Sequence, residues 1–195
     1  MPDIPDKAAF LALPHRLRAP ALVGTFMQYW AAMEMGVDAA IAKGLGLTGN
    51  QSYLLAPNIS FIPKTHILKA VIHLAGVQWD SPFFETQKAH FNSLVNEIAG
   101  ASGVRNTFAH YIFAESEKSD GVQFVVVQAK GKLKFPEEEW SIQRFLDFFA
   151  KLKRWDKELR ELEAWLEPTN LNALEAFSTL HALGYGPFPT EPSIW

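Results

Sequence analysis

Hydrophobic residues recur at steps of three and four over most of this chain, which is the pattern of amphipathic α-helices. The first apolar stripe starts just after Pro20, a residue that suits the first turn of a helix, and it stops at a glycine cluster that begins with Gly44. Its members are Val23, Phe26, Trp30, Met33, Val37 and Ile41. We therefore predict an irregular N-terminal arm over residues 1–19, followed by a long helix.

Three shorter helices are predicted next. One spans roughly residues 64–75, after a loop that contains prolines. Another follows Ser81, which can cap a helix whose first position is Pro82. The expected buried face of that helix consists of Phe84, Phe91, Leu94 or Val95, and Ile98. A glycine-flanked break at 100–103 separates it from a helix over roughly 104–114.

The pattern changes after Gly121, where Phe124-Val-Val-Val127 forms a run rich in β-branched residues. Lys130-Gly131 is a turn signal, and residues 132–135 can return as a second strand. We predict a small β-hairpin near residues 122–135. Because so small a hairpin does not fold alone, it must pack on the helices.

The last strong pattern predicts a helix over roughly residues 136–167, about 45 Å long. Its apolar seam consists of Phe145, Phe148, Leu152, Trp155, Leu159, Leu162 and Leu166. Three glutamates, Glu137 to Glu139, are expected in its first turn, where the helix dipole favours acids. The seam can pack inside a bundle of this chain or against a second protomer. A short C-terminal helix and a tail over 168–195 are expected to pack on the bundle.

Taken together, these elements predict an all-α fold, a helical bundle over residues 20–167 with one small inserted β-hairpin. A chain of 195 residues that is 48% hydrophobic can bury one good core and is too short for two large domains. Its formal charge is −3 and its pI is near 6.1, which excludes a domain that holds nucleic acid by bulk charge. The absence of cysteine excludes disulfide scaffolds, cysteine-ligated zinc and thiol nucleophiles.

The first residues show no secretory signal, and the most apolar window, 21–41, is interrupted by polar residues. We therefore expect a cytoplasmic protein without membrane contact.

Two motifs that resemble binding sites are better explained as structural features. Gly44-Leu-Gly46-Leu-Thr-Gly49 matches a dinucleotide fingerprint but follows a helix rather than a strand, and His66 with His73 provides too few ligands for a metal. We expect no metal and no cofactor.

The candidate catalytic residues lie in one short segment, Arg105-Asn106-Thr-Phe-Ala-His110. A neutral histidine can take a proton near neutral pH, an arginine can hold a phosphate, and Asn106 lies one helical turn from His110, close enough to orient its ring. A base and a phosphate clamp are what RNA cleavage by its own 2′-hydroxyl requires. The alternative is structural, with Arg105 at a helix end and His110 packed between helices. About 0.06 chance occurrences of this Arg–polar–His spacing are expected in a chain of this composition.

On these residues the chain resembles the HEPN superfamily, whose motif is an arginine, a polar residue, a three-residue spacer and a histidine. The resemblance implies a helical bundle, usually dimeric, that joins two such motifs across its interface. It also implies that Arg105 binds the phosphate, that Asn106 orients the His110 imidazole, and that His110 is the base of the cleavage reaction. The chain departs from the superfamily pattern two places after the histidine. Some toxin members carry tyrosine there, whereas this chain has Ile112, with Tyr111 adjacent.

The resulting expectation is a metal-independent endoribonuclease that leaves 2′,3′-cyclic phosphate ends, in a defence, toxin or RNA-processing role. The alternative is a non-catalytic module that binds a nucleotide, RNA or a protein. The expected partners are RNA or a nucleotide, a second copy of the chain, and an antitoxin protein. A homodimer would bring the two side chains together, since Arg105 and His110 diverge by about 140° on one helix.

Further residues are candidates for RNA contact or for support of the site. Lys130, Lys132 and Lys134 occupy alternate positions of the predicted hairpin and form either a local RNA contact or a solvated edge that discourages aggregation. Glu34 is either a buried acid that needs a partner or an acid at the solvated margin of its helix. We take Glu34 and Tyr111 as supporting candidates.

Overall fold

The structure is a computed structural model, and it describes residues 1–78, 82–125, 128–129, 133–134 and 137–166. It is mostly helical, as the all-α prediction requires in its coarser form, and it also contains a small antiparallel sheet with one more strand than the predicted hairpin. The described helices are α1 (Lys7–Leu11), α2 (His15–Gly44), α3 (Gly49–Leu55), α4 (Phe61–Gln78), α5 (Pro82–Gly100), α6 (Ser102–His110) and α7 (Ile142–Leu166), and a 3₁₀ turn follows α3 at Ala56–Asn58. The strands are β1 (Ile112–Glu115), β2 (Val122–Val125), β3 (Gln128–Ala129), β4 (Leu133–Lys134) and β5 (Glu137–Trp140).

These elements are divided between two compact units. The first unit comprises Met1–Gly36 and Ile98–Glu158, and so contains α1, α6, the sheet and the larger part of α7. The second unit comprises Val37–Glu97 and the described residues from Leu159 on. The predicted C-terminal helix and tail, 168–195, lie outside the described residues.

The N-terminal arm differs from its prediction, because it is partly helical. The Asp6 carboxylate accepts the Ala9 N–H at 2.7 Å and caps α1, and α2 then starts at His15 rather than at Pro20. Pro20 is tolerated inside α2 because it lies near the start, where a missing N–H removes one early helical hydrogen bond. Phe10 is buried, with its ring 6.4 Å from that of Phe149, so the arm is fixed to the first unit.

The glycine cluster after α2 is a helix terminus. Gly46 has a positive φ of 62°, and its N–H donates to the Lys43 carbonyl at 3.1 Å while that of Leu47 donates to the Ala42 carbonyl at 2.9 Å. This is a Schellman arrangement, in which the left-handed residue favours glycine. The geometry agrees with the structural interpretation of the glycine motif.

Helix α3 was not predicted, although a capping box marks its start. The Thr48 hydroxyl accepts the Gln51 N–H at 3.4 Å, and the Gln51 side chain accepts the Thr48 N–H at 2.8 Å. Helix α4 also begins earlier than predicted, at Phe61. The predicted buried face of α5 is confirmed where its side chains are described, at Phe91, Leu94, Val95 and Ile98.

The predicted hairpin exists and is longer than expected. Strands β2 and β5 pair antiparallel from Val122 with Trp140 to Val125 with Glu137, and β3 and β4 continue the same register, with Gln128 opposite Lys134. The placement of Glu137 to Glu139 in a helix was therefore wrong, since these residues form β5. Helix α7 begins only after Ser141, whose hydroxyl accepts the Arg144 N–H at 3.2 Å.

A third strand, β1, pairs antiparallel with β2 and forms an edge of the sheet. The predicted helix over 104–114 was therefore too long, because α6 ends at His110 and β1 starts at Ile112. Pairing places Phe113 opposite Phe124, so a cross-strand aromatic pair replaces the helical contacts that the local spacing had suggested.

The apolar seam of α7 is covered within this chain. Its buried apolar residues follow one face: Ile142, Phe145, Phe149, Leu152, Trp155, Leu159, Leu162 and Leu166. The prediction is correct except for Phe148, which is half-buried while Phe149 takes the buried position. The seam therefore offers no exposed apolar surface to a second protomer, and it no longer supports a dimer. None of the described helices combines the length and the apolar character that crossing a membrane would require.

One carboxylate connects the first and last helices of the first unit. Asp120 lies 2.7 Å from the Lys7 ammonium of α1 and accepts the Ile142 N–H of α7 at 3.1 Å. The Lys7 hydrogen bond, aided by the backbone N–H of Ile142, lowers the pKa of Asp120 below its ordinary 3.8. Because the folded pKa is depressed, this contribution to stability is present above pH 3.8 and is lost as the pH falls through the folded value.

We expect Asp120→Asn to lower the free energy of unfolding by about 1 kcal/mol near neutral pH, because the amide keeps the Ile142 contact and loses the charge. Urea denaturation at several pH values should also show that acidification lowers the stability of Asp120→Asn less than that of the native chain. Asp147→Asn is the control, since Asp147 is exposed and, among the described residues, accepts a hydrogen bond from Gln143 alone, one turn earlier on α7. Equal acid sensitivity of the native chain and Asp120→Asn would contradict the assignment.

Candidate functional site

Helix α6 is held in place by the residue at the middle of the predicted motif. Phe108 is 4% exposed, and its ring stacks on that of Phe26 with centroids 4.0 Å apart. Edge-on contacts follow with Trp140 at 5.0 Å and Phe145 at 5.2 Å. Such aromatic packing fixes both the position and the rotation of α6, and so fixes the directions in which the motif residues leave the helix.

The end of α6 is sharply defined. Tyr111 adopts an extended conformation, with φ −99° and ψ 151°, while its N–H still donates to the Thr107 carbonyl at 3.1 Å. His110 is therefore the last helical residue, and the chain continues almost directly into β1. Tyr111, a supporting candidate from the sequence, acts structurally as the C-cap of this helix.

The structure brings Asn106 and His110 to one exposed face of α6. They are separated by one turn, which corresponds to about 40° around the helix and about 6 Å along it. Both side chains are exposed, and neither forms a side-chain hydrogen bond within the described part of the chain. An exposed imidazole beside an amide can accept a proton from a bound ligand.

The structure does not bring Arg105 to that face. Its side chain is half-buried, and its Nε is fully buried without a hydrogen-bond partner among the described residues. A buried donor without an acceptor is destabilising by about 1–3 kcal/mol, so this nitrogen is an unusual feature of the first unit. Since Arg105 and His110 lie five positions apart in the same helix, α6, their side chains leave it about 140° apart.

The remaining sequence candidates are dispersed. Glu34 is half-buried on α2. Of the three lysines, Lys134 lies in β4, where its backbone pairs with Gln128, while Lys130 and Lys132 lie outside the described residues. Across the described ranges, no three histidine or acidic side chains converge in a group able to hold a metal ion.

A second arrangement in the first unit was not found by sequence reasoning. A cavity of about 760 Å³ lies where the start of α2 meets β1 and the loop that follows β1. At its wall the Nδ1 of His15 pairs with the Oε2 of Glu115, whereas the Oε1 of Glu115 is buried without a hydrogen-bond partner among the described residues. Arg16 and Phe113 also line this cavity.

The loop after β1 forms a rigid wall of the cavity. The Ser116 hydroxyl donates to the Glu139 carboxylate at 2.6 Å and accepts the N–H groups of Lys118 and Ser119, each at 3.0 Å. Hydrogen bonds from Ser116 and then Ser119 lower the pKa of Glu139. Because the Ser116 hydroxyl donates to Glu139, it does not donate to the carboxylate of Glu115.

No sequence signal joins His15 to Glu115. They lie far apart in the chain, and the pairing depends on β1, which the local spacing had assigned to a helix.

Comparisons of the chain with protein-family models, with curated proteins and with solved structures find no match. The motif and the geometry of α6 and its surroundings are therefore the features that indicate a function.

Phe108→Ala is expected to lower the free energy of unfolding by about 3–5 kcal/mol, because it leaves a cavity among four aromatic rings. His110→Ala should change it by less than about 0.5 kcal/mol, since that side chain is exposed. Urea denaturation checks both values, and Ala109→Ser, at an exposed position of the same helix, is the control. A small effect of Phe108→Ala would show that α6 is not anchored as described.

Proposed function

We propose that the α6 motif binds and cleaves RNA without a metal ion. The observation that carries the proposal is the exposure of Asn106 and His110 on one face of a helix whose rotation is fixed by Phe108. A ribonuclease of this kind needs a positioned base and a phosphate contact, and the motif provides both residue types. The resemblance to the HEPN superfamily supports the same assignment.

In the proposed reaction His110 takes the proton of a 2′-hydroxyl, and Asn106 orients the imidazole. The 2′-oxygen forms a bond to phosphorus while the bond to the 5′-oxygen breaks, and that oxygen takes a proton from water. The products are a 2′,3′-cyclic phosphate and a 5′-hydroxyl. The guanidinium of Arg105 stabilises the charge that develops on the phosphate.

The position of Arg105 sets a condition on this mechanism. Since Arg105 and His110 diverge by about 140°, we propose that the site is shared in a homodimer, with Arg105 from one protomer and His110 from the other. The seam of α7 does not support such a dimer, so the proposal depends on the divergence and on the resemblance. The Lys130, Lys132 and Lys134 contact with RNA, the antitoxin partner, the cytoplasmic location, and the defence, toxin or RNA-processing role stay predictions.

One observation favours the alternative of a non-catalytic module. The buried Nε of Arg105 indicates that this side chain contributes to packing, in which case the exposed face binds RNA, a nucleotide or a protein without cleaving it. Cleavage assays with matched variants separate these two functions.

His110→Ala is expected to abolish cleavage of total RNA, because the base is removed, while EDTA leaves the activity of the native chain unchanged. The measurement is the formation of products with 2′,3′-cyclic phosphates, whose 3′ ends resist direct labelling. His66→Ala is the matched control, since His66 is an exposed histidine on α4 and lies outside the motif. RNA binding without cleavage by the native chain would support the binding module, and equal activity of the His110→Ala protein would exclude the proposal.

Mixing two inactive variants tests the shared site. Arg105→Ala and His110→Ala proteins, unfolded and refolded together, should regain part of the activity, because each heterodimer contains one intact Arg105–His110 pair across its interface. Each variant refolded alone is the control. A mixture that stays inactive despite heterodimers demonstrated by mass spectrometry would contradict a site of this kind, as would a monomer found by light scattering.

A further inference from the structure

We propose that the corner between α3 and α4 docks on the surface of an anionic lipid membrane. The corner comprises residues 53–73, which run from the end of α3 through the 3₁₀ turn into α4. It lies in the second unit, so it uses no residue of the α6 motif and does not depend on the proposed cleavage. Two properties of the corner select this partner: its projecting apolar side chains and the single sign of its charges.

Apolar side chains project from the corner into solvent. Tyr53 is 79% exposed, Leu54 72% and Ile62 39%. Seven large hydrophobic side chains are exposed in the described part of the chain, and these three of them fall within ten consecutive residues. Single exposed hydrophobic residues are ordinary, whereas a cluster of them marks an interaction surface.

Local hydrogen bonds hold the turn that presents these side chains. The Asn58 side-chain amide donates to the Leu54 carbonyl at 2.7 Å, and the Thr65 hydroxyl donates to the Ile62 carbonyl at 2.8 Å. Because Tyr53 and Leu54 are each more than 70% exposed, they project from the turn and do not line a groove. The boundary between headgroups and acyl chains accepts such side chains without a matching pocket.

The charged residues of the corner carry one sign. The sequence contains no aspartate or glutamate from residue 39 to residue 79, a stretch that includes the whole of α3 and α4. Three basic residues follow Ile62 along α4 at steps of four, three and four: His66, which is exposed, and Lys69 and His73, which are half-buried. This spacing places them on the same face of α4 as Ile62. A lysine and two histidines are either neutral or positive, so nothing in this stripe opposes a negative surface.

The acid that precedes this stretch is neutralised within the second unit. Asp38 of α2 lies 2.9 Å from the ammonium of Lys64, which is only 4% exposed. The charge of the buried lysine therefore compensates that of the carboxylate, and Asp38 does not reverse the sign of the face that starts at Ile62.

The combination of the two properties favours a lipid surface over other partners. A nucleic acid would meet the same charges, but aliphatic side chains such as Leu54 and Ile62 offer its bases no ring for stacking. Protein surfaces intersperse charges of both signs, so a protein partner favours acids as well as bases on the face that it meets. An anionic bilayer is negative at its surface and apolar beneath, which matches both properties at once. Such a contact is distinct from a membrane span, and it departs from the sequence-based expectation of a protein without membrane contact.

Co-sedimentation of the full chain with lipid vesicles tests the proposal. The chain should bind vesicles made of equal parts of phosphatidylglycerol and phosphatidylcholine about fivefold or more tightly than vesicles of phosphatidylcholine alone, and added salt should reduce this difference. Leu54→Ser should weaken binding about tenfold, because an inserted apolar side chain is lost. Lys69→Gln should weaken it about fivefold, because one positive charge at the surface is lost.

Met35→Ser is the matched control. Met35 is 71% exposed on α2, but it lies between Glu34 and Asp38 in the sequence and outside the corner. Its replacement removes an equally exposed apolar side chain from an acidic segment and should leave vesicle binding unchanged. Urea denaturation checks that Leu54→Ser, a change at an exposed position, keeps the native stability.

The proposal is overturned if the chain does not bind anionic vesicles, if it binds both kinds of vesicle equally, or if Leu54→Ser binds as the native chain does. A dimer that Leu54→Ser dissociates, found by light scattering, would instead assign the corner to a second copy of the chain. RNA affinity that is lost in Leu54→Ser would assign it to RNA. Because the vesicle assay contains no RNA, its failure leaves the cleavage proposal standing.

Discussion

The packing of one ring, that of Phe108, determines how the first unit is assembled. Its centroid lies 4.0 Å from that of Phe26 on α2, 4.6 Å from Phe124 on β2, and about as close to Trp140 and Phe145. A single residue of α6 therefore contacts a second helix, two strands and the start of α7. The exposed face of α6 and the start of β1 take their positions from this contact, because both follow from the rotation and the end point of α6.

Local spacing predicted the elements whose environment is uniform along their length. The α7 seam and the α5 face are buried at the intervals that the sequence shows, because one face of each helix meets the core throughout. The prediction failed where long-range pairing overrides local preference. Ile112 continues the spacing of Val104 and Phe108, yet it belongs to β1, since pairing with β2 satisfies the backbone beyond the end of α6.

The glutamates before α7 illustrate the same limit. Acids in a first helical turn are favourable, and the local pattern offered no reason to place them elsewhere. In the fold Glu138 accepts the Trp140 indole N–H at 2.8 Å, and Glu139 accepts from Ser116. The contact between Ser116 and Glu139 joins residues 23 positions apart that the sheet brings together, so the spacing of neighbouring residues could not predict it.

The α6 motif could be predicted from the sequence and the pairing of His15 with Glu115 could not, because the first is local and the second depends on long-range contacts. The divergence of Arg105 and His110 follows from helix geometry alone and holds in the structure, whereas the burial of the Arg105 Nε depends on tertiary packing. The pairing of His15 with Glu115 depends on a strand that only the assembled sheet defines. Strand β1 nevertheless relates the two sites, because the five-residue step from His110 to Glu115 can span at most about 17 Å. Pairing with β2 over Ile112–Glu115 therefore fixes the backbone that joins the exposed imidazole to the Glu115 carboxylate, and this constraint comes from the sheet rather than from the local sequence.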